Sequence, residues 1–146
     1  MASFTLQRDV AAPAETVFAV LTEHQLYASI SPLRRSVLER EGEPPPNGVG
    51  AIRVLTSVGP SLREEVIAYD PPRRFSYRLL SGAPLRDHVG TVEITPDGER
   101  SKVVYAVRTT PTLPLVGAAV VAVLSQGVKA LLDGIVKESE RRAANG

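Results

Sequence analysis

The chain has 146 residues, of which 43% are hydrophobic and 23% are charged, and its net charge at neutral pH is only +1. A folded chain of this length can withdraw roughly 70% of its extended surface from water, which is enough for one domain without disulfides. Cysteine is absent, so disulfide frameworks, thiolate metal sites and cysteine nucleophiles are excluded. The balanced charge, without long blocks of like charges, argues against binding to nucleic acid.

The N-terminal residues alternate between apolar and polar side chains, which predicts a strand over residues 3–10. Phe4, Leu6 and Val10 form its apolar face. This alternation differs from the continuous apolar core of a secretory signal, and we therefore expect a cytoplasmic protein.

Two short helices are predicted after this strand. Pro13 suits the first helical position and Glu15 the first turn, where a carboxylate complements the helix dipole. An apolar stripe follows at helical spacing, formed by Ala14, Val17, Phe18 and Leu21. The second helix is predicted over residues 24–30, because Pro32 disfavours helical angles at the residue before it.

From residue 33 to residue 110, short runs rich in Val, Ile, Tyr and Thr are separated by turn clusters. The pattern predicts six strands, near residues 34–42, 49–58, 61–70, 73–81, 86–95 and 101–110. Because the connections between them are short, we expect an antiparallel meander.

After Pro114 the chain is predicted to be helical to about Ala143, with glycines that would permit a bend or leave room for a ligand. One face of this helix is apolar and is formed by Val116, Val120, Leu124, Val128, Leu131 and Ile135. A continuous helix of this length would extend about 45 Å, enough to cross a small domain. Its most apolar stretch, residues 115–124, is about half of what spans a bilayer, so we expect no membrane insertion.

This order of elements predicts an α+β fold in which a curved, seven-stranded antiparallel sheet wraps around the long C-terminal helix. The sequence has no internal repeat and no second compositional regime, so residues 1–146 are expected to form a single domain. One helix rarely fills the concave face of such a sheet. The space left between sheet and helix is therefore the candidate site.

Three segments also resemble a known family. They are Val10-Ala11-Ala12-Pro13-Ala14-Glu15-Thr16-Val17-Phe18, Tyr69-Asp70-Pro71-Pro72-Arg73-Arg74-Phe75-Ser76-Tyr77-Arg78 and Gly90-Thr91-Val92-Glu93-Ile94-Thr95-Pro96. With the order of elements, they resemble the START-like (SRPBCC) superfamily of helix-grip proteins, and within it the bacterial polyketide cyclase/dehydrase and lipid-transport group. The resemblance covers essentially the whole chain. Its motifs are turn and core positions, so it implies the helix-grip fold and a role among lipid carriers, aromatic cyclases or chaperone activators, without assigning a catalytic residue.

Alternation along the strands selects the side chains that should face the space. The inward-facing sets are expected to be Phe75, Tyr77 and Leu79; Gly90, Val92 and Ile94; and Val103, Tyr105 and Val107. The predicted ligand contacts are Phe75, Tyr77, Leu79, Arg86, His88, Val92, Tyr105, Val120, Leu124 and Val128. The tyrosines would hydrogen-bond a ligand while their rings pack on it, or else remain core residues with hydroxyls at the rim.

Arg86 and His88 are the candidate catalytic residues. Continuing the alternation of the 86–95 strand places both at the inner mouth, unless a one-residue bulge reverses it. A buried guanidinium needs an anionic ligand or a carboxylate such as Glu64 or Glu65. Arg86 would then bind a carboxylate, enolate or phenolate while His88 exchanges a proton; the alternative is a pair at the strand end that reaches solvent.

Other residue patterns point away from further chemistry. His24, beside Gln25 at a helix start, is predicted to be exposed or to cap the helix. The two histidines lie far apart in sequence, which predicts no metal site. The Gly48-Val49-Gly50 segment lacks the lysine and helix of a phosphate loop, and no serine lies in a Gly-x-Ser-x-Gly elbow, so we expect no cofactor and no hydrolase activity.

Three functions are consistent with these observations. The first is a module that binds or carries a small, mostly hydrophobic molecule such as a fatty acid, isoprenoid or polyketide. The second is a polyketide cyclase/dehydratase-like enzyme that uses Arg86, His88 or a tyrosine for enolate stabilisation and proton transfer. The third, an adaptor, would need an exposed apolar patch. The expected partner is a small hydrophobic molecule, with no nucleic-acid binding and no stable membrane insertion, and the chain is expected to be a monomer or homodimer.

Overall fold

The computed structural model describes residues 1–146. They form a seven-stranded antiparallel sheet and three helices. The strands are β1 (Ala2–Val10), β2 (Arg35–Arg40), β3 (Ile52–Thr56), β4 (Leu62–Asp70), β5 (Arg74–Ser81), β6 (Leu85–Asp97) and β7 (Arg100–Pro111). The helices are α1 (Ala14–Thr22), α2 (Tyr27–Ile30), which follows a 3-10 turn at His24–Leu26, and α3 (Gly117–Asn145). The spatial order of the strands is β1-β7-β6-β5-β4-β3-β2, so the predicted helix-grip architecture is confirmed.

Four strands differ clearly in length from the prediction: two are shorter and two are longer. β2 and β3 are shorter than expected because the proline-rich segment between them forms its own hydrogen-bonded loop, in which Gly42 N–H donates to the Pro46 carbonyl. β6 and β7 are longer than expected and form one hairpin whose turn contains Gly98 at φ +64°. A positive φ is accessible to glycine at little steric cost, which permits this tight connection.

The hydrophobic core lies between the sheet, α1 and the second half of α3. In α1 the apolar stripe predicted from the sequence is buried, including Val17, Phe18 and Leu21. The strands contribute their inward-facing sets, among them Val92, Ile94, Val103 and Val107. Alternating burial along β1 and β7 shows the period-two pattern from which these faces were predicted.

Helix α3 is buried only in its second half. Its buried residues are Val128, Leu131, Leu132, Gly134, Ile135 and Ser139. At Gly134 an added Cβ would overlap the carbonyl oxygen of Ile30, so glycine allows α3 to cross α2 at close range. The first half contains no fully buried residue, and the Val123 side chain in it is 74% exposed. By length and composition alone α3 could also cross a membrane, although core helices of soluble proteins meet the same criteria.

Candidate ligand-binding cavity

A cavity of about 770 Å³ lies between the concave face of the sheet and the first half of α3. This volume falls within the range of about 300–1,000 Å³ that is typical of small-molecule sites. Of the 27 residues that line it, 17 are hydrophobic, so the wall is mainly apolar. Several of these residues are exposed, among them Val58, Val116 and Val123, and the cavity therefore opens to solvent.

Most of the predicted ligand contacts lie on the cavity wall. These are Tyr77, Leu79, His88, Tyr105, Val120, Leu124 and Val128. Phe75 and Val92 do not line the cavity, contrary to expectation, although their side chains do face inward and are buried. The two are register partners on β5 and β6 and belong to the same core cluster as the buried residues of α1. The alternation predicted their face correctly but does not show how far along the strand the cavity extends.

Arg86 lies outside the cavity, and the prediction that it faces inward is wrong. The register between β6 and β7 shifts between Arg86 and Val89, where β6 holds one extra residue. Asp87, within this bulge, has a φ of +52°. A bulge of this kind reverses the side-chain parity before it, and the Arg86 side chain is 69% exposed, with the Asp87 carboxylate 3.7 Å away. His88, the other residue between Arg86 and Val89, stays inward at 3% exposure.

The arginine that does reach the cavity wall is Arg53 on β3, which sequence reasoning missed. It stands directly opposite Glu64 on β4, and both side chains are buried. Arg53 Nε donates to Glu64 Oε1 at 3.0 Å, and Nη2 lies 2.8 Å from the same oxygen. Glu64 therefore pairs with Arg53 and not with Arg86. Glu65 faces the other side of the sheet, where it pairs with exposed arginines.

Aromatic rings surround the Arg53 guanidinium. Its Cζ lies 4.4 Å from the ring centroid of Tyr77, 5.3 Å from that of Tyr27 and 5.5 Å from that of Phe75, distances at which a cation is attracted to the ring face. Burial lowers the pKa of Arg53, but the Glu64 carboxylate and the tyrosines outweigh this effect and raise it overall. The guanidinium is therefore charged, and its charge is compensated within the protein.

Two tyrosine hydroxyls meet beside this ion pair. Tyr77 Oη and Tyr105 Oη are 2.5 Å apart, and burial raises the pKa of both phenols, so both stay neutral. Because only one of them can donate to the other, the second keeps its proton for another acceptor. Gly90 on β6 makes this arrangement possible, since a Cβ at that position would overlap the Tyr77 ring.

His88 provides a further polar group on the wall. Its ring centroid lies 6.1 Å from that of Tyr77, and its Nδ1 is buried without a hydrogen-bond partner. Burial lowers the pKa of His88, Glu64 opposes this and Arg53 adds to it. At neutral pH the ring is therefore uncharged and offers one donor and one acceptor nitrogen.

His24 is fully buried, so the prediction that it is exposed or caps a helix is wrong. The 3-10 turn carries its ring into the core, 5.7 Å from the Tyr27 ring and 5.6 Å from the Phe75 ring. Both of its ring nitrogens lack hydrogen-bond partners, and burial, with Arg53 nearby, lowers its pKa well below the usual value. It does not line the cavity.

These groups form a neutral polar cluster on one wall of an apolar chamber. The cluster consists of Arg53, Glu64, Tyr77, His88 and Tyr105. It can hydrogen-bond one polar end of a ligand while the apolar remainder packs against α3. No group of three or more His, Cys, Asp or Glu side chains is placed to hold a metal ion.

Comparison with known proteins identifies the family. Residues 1–140 match the family model described as polyketide cyclase/dehydrase and lipid transport. The chain belongs to this family. The START-like resemblance predicted from the sequence is thereby confirmed, and the family and fold fit ligand binding. A search of curated proteins found no match.

Solved structures support the same fold. The Zhui aromatase/cyclase from Streptomyces sp. R1128 superposes with a TM-score of 0.83 at 23% identity, covering 97% of this chain and 94% of that chain. A START superfamily protein from Mycobacterium smegmatis gives 0.80 at 14% identity, with 95% and 97% covered. Norcoclaurine synthase from Thalictrum flavum gives 0.73 at 18% identity, with 97% and 95% covered. At these identities the likeness concerns the fold.

Proposed function

We propose that this protein binds a small, mostly hydrophobic molecule, such as an isoprenoid, another lipid or a polyketide, in the cavity between the sheet and α3. The observation that carries the proposal is the chamber of about 770 Å³, which has a mainly apolar wall and a cluster of buried polar side chains. A site that buries an apolar body and positions one polar group is typical of small-molecule binding. Membership of the polyketide cyclase/dehydrase and lipid-transport family supports it.

The two walls have different roles in this proposal. Helix α3 presents Val120, Leu124 and Val128 to the apolar body of the ligand. The sheet presents Tyr105 and His88 to its polar end. Because the first half of α3 makes few contacts with the sheet, a ligand can enter beside it without breaking the core.

Native mass spectrometry of the protein purified from its own host tests the proposal. We expect a bound small molecule that is released by organic solvent. Leu124→Trp, which narrows the chamber, should reduce the share of protein that carries this mass. Ala122→Trp, at an exposed position of the same helix that does not line the chamber, should retain it. Protein without bound lipid that also fails to take up a fluorescent lipid analogue would contradict the proposal.

A second candidate is a polyketide cyclase/dehydratase-like enzyme, and the position of His88 favours it. The neutral imidazole can take a proton from a carbon next to a ketone, and the electron pair left behind moves onto the carbonyl oxygen. The free phenol proton of the Tyr77–Tyr105 pair can stabilise that oxygen. Arg86, being outside the cavity, has no role in this step.

Substitution of His88 separates the two candidates. For an enzyme, His88→Ala should lower turnover of a poly-β-ketone by about 10²- to 10⁴-fold. If the protein is a carrier, neither the wild type nor the variant turns over the poly-β-ketone. Arg86→Ala serves as the control and should leave both binding and turnover unchanged, because its side chain is exposed.

A further inference from the structure

We infer that the cavity selects ligands whose polar end is an uncharged hydroxyl, as in an alcohol, phenol or enol, and that Glu64 makes it reject carboxylates. This inference rests on the proposed ligand binding and specifies the chemical class of the ligand. The apolar wall alone would accept fatty acids. With Glu64 in the wall, we expect the cavity to bind neutral compounds of the same length in preference to them.

The first observation is that Glu64 already compensates the positive charge of Arg53. Its Nε and Nη2 both contact Glu64 Oε1, and its Nη1 donates to Tyr27 Oη at 3.2 Å. Tyr77 covers one face of the guanidinium. Because the charge of the buried guanidinium is paired with that of Glu64, Arg53 offers a ligand carboxylate no uncompensated charge.

The second observation is the free oxygen of Glu64. Both contacts from Arg53 fall on Oε1, and no protein donor reaches Oε2. Glu64 itself is part of the cavity wall. An ionised carboxylate accepts hydrogen bonds and donates none, so Oε2 requires a donor from the ligand.

The third observation is that the remaining polar groups of the cluster are neutral. Tyr77 and Tyr105 are phenols, and the buried His88 ring is uncharged at neutral pH. A ligand hydroxyl can donate to Glu64 Oε2 and accept from the free phenol or from His88. A ligand carboxylate would instead face the Glu64 carboxylate in a region of low dielectric, where like charges repel strongly.

Binding to the wild-type protein tests whether the cavity prefers a neutral or cationic head group to a carboxylate. Decanol, decylammonium and decanoate share one alkyl chain, and each is titrated at neutral pH against Nile red, an uncharged fluorescent probe. We expect decanol to bind at least about tenfold more tightly than decanoate. We also expect decylammonium to bind more tightly than decanoate, because the two ions have comparable desolvation penalties but only the ammonium can donate to Glu64. Tighter binding of decanoate than of decylammonium would overturn the inference.

Glu64→Gln tests whether Glu64 sets the preference for decanol over decanoate. The amide keeps an acceptor for Arg53 and removes the negative charge, so the preference for decanol over decanoate should fall by about tenfold or more. Glu65→Gln is the matched control on the opposite face of β4 and should leave the preference unchanged. A folded Glu64→Gln protein with the wild-type preference would show that Glu64 does not set it.

The same titrations separate this inference from the proposed function. Failure of all three compounds to displace bound Nile red would overturn the inference. Absence of Nile red binding as well would contradict ligand binding itself. Displacement in which the carboxylate is preferred would leave ligand binding intact and overturn the inference alone. The three wild-type titrations keep the test valid if Glu64→Gln does not fold.

Discussion

Arg53 shows how a single residue constrains both the stability and the chemistry of the cavity. Its guanidinium is withdrawn from water and depends on Glu64 for its compensating charge. Removing one member of a buried ion pair leaves the other charge unpaired, which is more harmful than removing both. The pair is therefore a structural requirement as well as a part of the cavity wall.

We predict that Arg53→Met lowers the free energy of unfolding by about 3–5 kcal/mol at neutral pH, because it leaves the Glu64 carboxylate buried and unpaired. Urea denaturation measures this change. Arg78→Met is the control, since Arg78 pairs with Glu65 at the surface and should cost at most about 1 kcal/mol. Equal losses in the two variants would mean that burial of the Arg53 pair has no energetic consequence.

The two buried histidines make stability depend on pH. The pKa values of His24 and His88 are lowered in the folded state, so between these values and about 6.5 the unfolded chain binds more protons than the folded one. The stabilisation is therefore complete above about pH 6.5 and declines as the pH falls below it.

We predict that the free energy of unfolding falls between about pH 6.5 and pH 5.5, with a slope of up to about 1.4 kcal/mol per pH unit for each histidine. His24→Phe should reduce this slope, because it removes a ring with two unpartnered nitrogens from an aromatic environment. Urea denaturation at a series of pH values measures the slope. An unchanged slope in His24→Phe would contradict the role of His24.

At the scale of elements, α3 is one helix with two environments. Its second half is buried against α1, α2 and β1, whereas its first half forms one side of the cavity. Gly127 lies in the half that borders the cavity, and Gly134 lies in the buried half. Around Gly127 nothing lies within 4 Å of an added Cβ, but at Gly134 the carbonyl oxygen of Ile30 occupies the position.

We predict that alanine has opposite effects at these two glycines. Gly127→Ala should stabilise the protein by about 0.5–1 kcal/mol, because alanine favours the helix and meets no neighbour. Gly134→Ala should destabilise it by about 1–3 kcal/mol, because α3 and α2 must move apart. Thermal or urea unfolding of the two variants measures the difference, and a shared sign would contradict it.

At the scale of the whole molecule, stability is distributed unevenly between the core end and the cavity end. We predict that in native-state hydrogen exchange the amides of residues 121–127 exchange faster than those of residues 131–139, because the first half of α3 has few buried contacts. A saturating ligand should slow exchange in residues 121–127 more than elsewhere. Uniform protection along α3 without ligand would contradict this description.

Much of the architecture could be predicted because it depends on local patterns. Alternation along β5 placed Tyr77 and Leu79 on the inner face, and the helical spacing of Val120, Leu124 and Val128 placed them on the helix wall. Arg86 was predicted wrongly because one extra residue in β6 reverses the parity, and a bulge leaves no simple compositional signal.

The sequence by itself determined the order of elements and the apolar faces of β1, β5, β7, α1 and α3, because hydrophobic periodicity and turn residues act over short distances along the chain. The resemblance of three segments indicated the family. Only the tertiary structure decided which charged groups share the cavity. The Arg53–Glu64 pair depends on the register of β3 with β4, and the meeting of Tyr77 with Tyr105 depends on their facing across a glycine in β6. Such contacts join residues far apart in sequence, and their energies depend on burial, which exists only once the chain has folded.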